Sequence, residues 1–412
     1  MTTPSPLWRR LLGFTLLPAI AAVSPLLVLP IVSRIAGPDG WASAIAGESI
    51  GTFAAIAIAY GWTTVGPALV SIAMDDPHRG RLYRDALVIR LLTAVVALPV
   101  MAIVCAWVAS PGFQWLAVLM GLQGALIAMS FTWFAVGVGD PRSIMFYDAI
   151  PRLAVAVGAA ILIAQVGIVE LYPLGGIAVT LIGTTIYTWR LLKHYPSDWP
   201  RLSELPGLFR LGAPVALNDA ALGAYSAVPT PLVNVTSPGS AAAGFASADK
   251  MLKLGQFLPL TLANALQSWT GEVHGPPRAR RVRWAFTAHA VFGVLGWLVL
   301  GFLGPWVSGL LFGPRAAATS AVCFALGLAF AMYSTRTSMT RHLLFPTGQT
   351  RAVMTATLIA TAVGVPSMIA LTLSWGPIGA ALGYALTETI ATVLLARRSI
   401  RGLRRIEAEV PV

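Results

Sequence analysis

The sequence predicts an all-α integral membrane protein of about twelve transmembrane helices, built as two pseudo-symmetric six-helix bundles. Three observations predict it. The 412 residues are 57% hydrophobic and only 11% charged, with a mean hydropathy of +0.76. The apolar stretches recur at close to the roughly 20 residues that cross a bilayer. Lys and Arg fall almost wholly into alternate gaps between those stretches.

The expected spans are 11–32, 41–73, 86–109, 115–137, 144–167, 171–192, 212–235, 241–268, 284–307, 316–337, 352–373 and 376–397. Arg9 and Arg10 precede the first. Arg79, Arg81 and Arg84 follow the second, Arg142 and Arg152 the fourth, and Arg190, Lys193, Arg201 and Arg210 the sixth. Arg278 to Arg283 follow the eighth, Arg336, Arg341 and Arg351 the tenth, and Arg397 to Arg405 the last. The intervening gaps hold only Arg34 and Arg315. This positive-inside pattern places both termini in the cytoplasm. The net charge of +12 is then explained by loops facing anionic headgroups rather than by nucleic acid. Cys105 and Cys323 fall inside spans without ligand spacing and read as small core residues. The apolar run after Arg10 continues past Ala21-Ala22-Val23-Ser24 to Val32, as an uncleaved first span does and a secretion signal does not.

The two halves resemble each other. Gly139-Asp140-Pro141-Arg142-Ser143-Ile144-Met145 after span 4 and Gly348-Gln349-Thr350-Arg351-Ala352-Val353-Met354 after span 10 share G-x-x-R-x-x-M. Pro30-Ile31-Val32 matches Pro231-Leu232-Val233, Glu48 matches Asp249, and Leu174-Gly175-Gly176 matches Ile378-Gly379-Ala380. The order and the topological places are the same. The repeat divides the chain into bundles 1–198 and 199–412. Each has an even number of spans, so the repeat is parallel, an architecture suited to alternating access.

Twelve spans as six plus six, the P-x-x-S-R-x-x-G-P-x-G segment from Pro30 to Gly40, the turn Gly309-Leu310-Leu311-Phe312-Gly313-Pro314 and the tail motif Trp375-Gly376-Pro377-Ile378-Gly379-Ala380-Ala381 carry a family resemblance. Over essentially the whole chain the sequence resembles the O-antigen-type (Wzx-type) flippases of the multidrug/oligosaccharidyl-lipid/polysaccharide exporter superfamily. The resemblance implies a MATE-like V-shaped pair of bundles in the bacterial inner membrane. It implies a cargo of undecaprenyl-pyrophosphate-linked oligosaccharide moved from the cytoplasmic to the outer leaflet. Glycosyltransferases and a polysaccharide polymerase are the partners it suggests, beside the membrane lipids.

Ionisable groups inside spans need partners or water. Here they are Glu48, Arg90, Asp219, Asp249, Lys250, Lys253 and Glu388. On a continuous helix Asp249, Lys253, Gln256, Asn264 and Gln267 share one face, and Lys250 lies beside them. Glu48, Thr52 and Thr63 take the matching places in the first half. The functional reading is a cationic substrate site of Lys250 and Lys253 with Arg90, Gln256 and Asn264, holding a pyrophosphate or acidic sugars. The plain reading is an i,i+4 Asp249–Lys253 salt bridge, with Arg90 snorkelling to the interface. Glu48, Asp219, Asp249 and Glu388 are the candidate cavity carboxylates for coupling to H⁺ or Na⁺. No other cofactor and no metal is expected.

An ion-coupled drug exporter of the same superfamily is the nearest rival. Its bacterial members resemble one another in an acidic residue within span 1, which Leu11 to Val32 lacks. A lipid II flippase resembles a fourteen-span chain, for which there is no room here. An enzyme, such as a membrane glycosyltransferase or polymerase, calls for acidic or His-rich loops. The outer loops hold only Asp39 and Glu170 as acids, and the five histidines are scattered.

Overall fold

The computed structural model describes residues 24–408. Arg9, Arg10, Pro18 and most of span 1, with its reading as an uncleaved helix, lie outside them. Every regular element among the described residues is helical. Seven stretches are long and apolar enough to cross a membrane as they stand. One of these, Thr350–Ala408, carries two spans, Pro25–Ile72 carries the end of span 1 with span 2, and further spans are interrupted helices, so the pattern accords with twelve.

The joined pairs turn at glycines. Pro25–Ala59 continues through Gly37 (φ 69°, ψ −175°), between spans 1 and 2. Thr350–Ala408 continues through Gly376 (φ 59°, ψ −137°), between spans 11 and 12. Both conformations are open to glycine and strained for other residues, so these two glycines of the quoted motifs set where the chain reverses.

Backbone conformation also carries the repeat. Positive-φ glycines mark corresponding turns at Gly112 and Gly313, at Gly139 and Gly348, and at Gly167 and Gly376. The pairs are separated by 201, 209 and 209 residues. The third helix of each half opens in the same way, at Asp76–Val108 and Gly275–Phe312, with an extended N-cap residue and Pro in the first turn. Spans 2 and 8 are both interrupted near their middles, at Tyr60-Gly61 and at Gln256.

The described chain packs as two compact units, the first ending at Gly223 and the second beginning at Ala224. The sequence repeat predicts a division at 198/199, whereas the packing boundary falls inside the seventh span. The reason is local: Gly212 lies against the Tyr60 ring and Gly223 against Ile56, and the Tyr60 hydroxyl donates to the Phe209 carbonyl at 3.3 Å. All but the last turn of Leu205–Ala227 thus belongs to the first unit.

Within that unit spans 2 and 4 meet backbone to backbone. A Cβ at Gly47 would collide with the Ala117 carbonyl and one at Gly51 with the Gly121 carbonyl; one at Gly124 would press on the main chain of Glu48 and Thr52. Small residues at this spacing let membrane helices approach where no hydrophobic force draws them together. At the arginine-bearing end, Tyr83, Phe131, Trp133, Phe134 and Tyr187 form an aromatic core. Arg84 reaches from Asp76–Val108 to the Tyr195 carbonyl at 2.8 Å and the Leu192 carbonyl at 3.2 Å, capping the end of Leu171–His194. Orphan carbonyls there are otherwise unsatisfied. Elsewhere the units are inside-out relative to soluble proteins. On Asp76–Val108 the face of Leu91, Leu92, Val95, Val96, Ile103 and Trp107 is exposed, while Ala94, Met101 and Cys105 are buried, as expected of a helix bathed in lipid.

Candidate functional site

Span 8 folds as Gly239–Gly255 followed by Phe257–Gly271. Pro259, lacking an N–H, favours the interruption. The break divides the expected stripe. Asp249, Lys250, Lys253 and Gln256 stay together around the first half-helix, while Asn264 and Gln267 sit exposed on the second. Asn264 is exposed on the second half-helix, beyond the interruption, while the lysines stand on the first.

Asp249 is fully buried. Its Oδ2 takes both the Lys253 ammonium at 2.7 Å and the Thr230 hydroxyl at 2.8 Å, while Oδ1 has no hydrogen-bond partner. The i,i+4 salt bridge expected from the sequence is thus formed, and it leaves acceptor capacity unused. Lys253 lies in the last turn of its half-helix, where a cation complements the helix dipole. Its side chain is 30% exposed, against 1% for Asp249. Lys250 is buried on the same helix. Gln256 donates to the Tyr384 hydroxyl at 3.3 Å.

Glu388 is closed off. Arg336 holds it in a fork, Nε to Oε2 at 2.9 Å and Nη2 to Oε1 at 3.1 Å, and the Tyr225 hydroxyl donates to Oε1 at 3.0 Å. Sequence reading placed Arg336 in the tenth gap. It lies instead in the helix Ser320–Ser338, which runs on through a wider turn, Met339–Leu344. Its side chain is only 11% exposed. A polar run of Tyr333, Ser334, Thr335 and Thr337 around Arg336, with no turn residue before Pro346, was the available signal.

Arg90 neither snorkels nor opens to a cavity. It is fully buried, donating to the carbonyls of Ala128 at 2.8 Å, Ser130 at 3.0 Å and its own-helix Ala86 at 3.2 Å, with Trp133 5.4 Å away. Span 4 breaks at Ile127–Met129, and the guanidinium fills the gap in the backbone ladder. His289, 199 residues later, holds the corresponding place and is also fully buried, accepting Ser334 Oγ at its main-chain carbonyl at 2.8 Å.

In the first unit Asp219 accepts from the Thr64 hydroxyl at 2.7 Å. Glu48 is half-buried, and its main-chain carbonyl accepts from Thr52 at 2.8 Å. No group of three or more His, Cys, Asp or Glu suited to a metal occurs among the described residues.

No protein-family model matches the sequence. A Shigella dysenteriae protein named "Putative O-antigen transporter" is 20% identical over 373 residues, 90% of this chain and 94% of that protein. The fold is similar to the lipid II flippase MurJ in an inward closed conformation, with a TM-score of 0.74 at 13% identity, covering 96% of this chain and 89% of that one. It is similar also to an inward-facing multidrug resistance MATE family transporter of the MOP superfamily, at 0.65 and 14% identity, covering 95% and 100%. The proteins it resembles are transporters and flippases rather than enzymes. The chain is a multi-pass α-helical membrane protein with the fold of the MOP-superfamily transporters, and along nearly its whole length it is similar in sequence to a protein named for O-antigen transport.

Proposed function

We propose that the protein flips an undecaprenyl-pyrophosphate-linked oligosaccharide from the cytoplasmic to the outer leaflet of the bacterial inner membrane by alternating access. The sequence likeness to a protein named for O-antigen transport, nearly end to end in both chains, carries the cargo class. Glycosyltransferases supply such a cargo and a polymerase consumes it. Lys250 and Lys253 on the first half of span 8 are the cargo's counter-charges. A charge pair at 4 Å and an effective dielectric of about 20 is worth on the order of 4 kcal/mol before desolvation. Asp249 orients Lys253, and its unused oxygen is a place for a coupling proton or Na⁺. Arg90 is left out of the cargo set because it is fully buried and its Nη1 and Nε donate to backbone carbonyls. A drug exporter is the second reading, favoured by the likeness to a multidrug transporter.

The test is surface-glycan export in cells whose own flippase is deleted. Lys250→Gln with Lys253→Gln is expected to abolish export at normal membrane abundance. Full export by that variant removes the cationic cargo site and favours drug efflux. Both termini are proposed to be cytoplasmic. Since Cys105 and Cys323 are buried, a thiol placed at Ser240 should react with an impermeant reagent outside intact cells, and one at Thr350 should not.

A further inference from the structure

A groove runs down the outside of the second unit between spans 8 and 9. Its wide end, about 640 Å³, is lined by Trp269, Pro277, Arg280, Arg281 and Trp284 among others. Its narrow end, about 330 Å³, shares Trp284 and continues along Leu262, Val291 and Leu295. Charge is confined to the wide end, and the narrow end is apolar apart from the Thr287 hydroxyl. Arg281 is committed to the wall: it donates to the Trp269 carbonyl at 2.6 Å, pairs with Glu272 at 2.8 Å and lies 5.0 Å from the Trp269 ring. The two indoles pack edge to face at 5.5 Å. Glu272, the acid beside the groove, is thereby neutralised. Arg280 is exposed and makes no ion pair or hydrogen bond among the described residues.

We infer that this groove is a binding site for one anionic phospholipid, its phosphate on Arg280 and its acyl chain lying along Trp284, Val291 and Leu295. An unpaired guanidinium beside two indoles is the chemistry of a headgroup site at a membrane interface. An apolar channel leading from it suits a tail and not a soluble anion. The length selects the occupant. Arg280 to Leu295 is 15 residues of one helix, roughly 22 Å at about 1.5 Å per residue, close to the depth from headgroup level to the bilayer midplane. A polyprenyl chain is far longer than that depth, so the cargo's carrier is the wrong fit. The inference does not depend on what the protein transports.

Purified protein in detergent is to be examined by native mass spectrometry after adding phosphatidylglycerol, phosphatidylcholine, undecaprenyl phosphate or inorganic phosphate. Wild type is expected to retain one phosphatidylglycerol at least fivefold more than phosphatidylcholine. Arg280→Gln should erase that preference while leaving the melting temperature in lipid-free detergent unchanged. Leu295→Trp, which fills the narrow end, should lower retention of both phospholipids. Equal retention of the two by wild type, an unchanged preference in Arg280→Gln, displacement of phosphatidylglycerol by inorganic phosphate, or stronger retention of undecaprenyl phosphate would each overturn the assignment.

Discussion

Asp249 and Glu388 are the two buried carboxylates of the second unit among the described residues, and they are held in opposite ways. Glu388 has both oxygens engaged, by a forked arginine and a tyrosine hydroxyl. Asp249 takes two donors on one oxygen and none on the other, and its lysine side chain is partly exposed. A carboxylate saturated by rigid donors is suited to holding helices together. One with a spare lone pair and a flexible point-charge partner can exchange that partner for an ion or a phosphate. Composition distinguishes neither, because each is an acid inside an apolar span. The arrangement of donors does.

The largest expected effect breaks the closed member. Arg336→Gln leaves Glu388 buried without its countercharge, at a cost of roughly 3–5 kcal/mol. Folded protein recovered in detergent should fall sharply, and Arg336→Gln with Glu388→Gln should restore most of it. If the single variant melts like wild type, Glu388 is not a structural clamp. Next comes the open member. Asp249→Asn with Lys253→Gln should melt within about 1 kcal/mol of wild type, since the charges are removed as a pair. Its export should still fall at least tenfold, about 1.4 kcal/mol in barrier terms. Recovery of both stability and export would make Asp249–Lys253 a structural bridge like the other. Third, Gly51→Ala places a methyl against the Gly121 carbonyl and should cost about 1–3 kcal/mol by overpacking, read as a lowered melting temperature, while Gly158→Ala, with open space around it, should not.

The smallest effect concerns a carboxylate outside the membrane. Glu204, in the link before span 7, accepts the Arg201 N–H at 2.9 Å and pairs with Arg81. The backbone donor first, and then Arg81, hold its pKa below the ordinary 4.5. A depressed carboxylate contributes stability above its unfolded value, and that contribution is lost as pH falls through the lower folded value. Protease cutting of the link should therefore rise between pH 5 and pH 3 in wild type and be pH-independent there in Glu204→Gln.

Much of the fold was legible in the sequence. The span periodicity, the glycine turns at 139 and 348 and the order of the two halves come from strong one-dimensional signals: apolar length, charge alternation and residues that alone suit a positive φ. The Asp249–Lys253 bridge was legible too, since four residues on one helix fix the distance. The partners of Arg90 and Glu388 were not. Arg90 binds main-chain carbonyls freed by a break 38 residues away in sequence, and no side-chain pattern announces a carbonyl. Glu388 finds an arginine 52 residues distant that the charge alternation had assigned to a loop. The interruption at Gln256 was not legible either, because a regular helix was assumed through Pro259.

The glycine seam between spans 2 and 4 also bears on movement. Two helices whose main chains touch cannot slide past one another, because each residue step would drive a carbonyl into the space reserved for a missing side chain. Amide hydrogens along residues 41–59 should consequently be among the slowest to exchange in the first unit. Bending must be drawn from the interruptions instead, at Tyr60-Gly61, at Ile127–Met129 and at the wide turn Met145–Ala149. The first unit is in this sense a stiff seam with articulated joints on one side, and strain applied at its arginine-bearing end is taken up at those joints before it reaches Glu48.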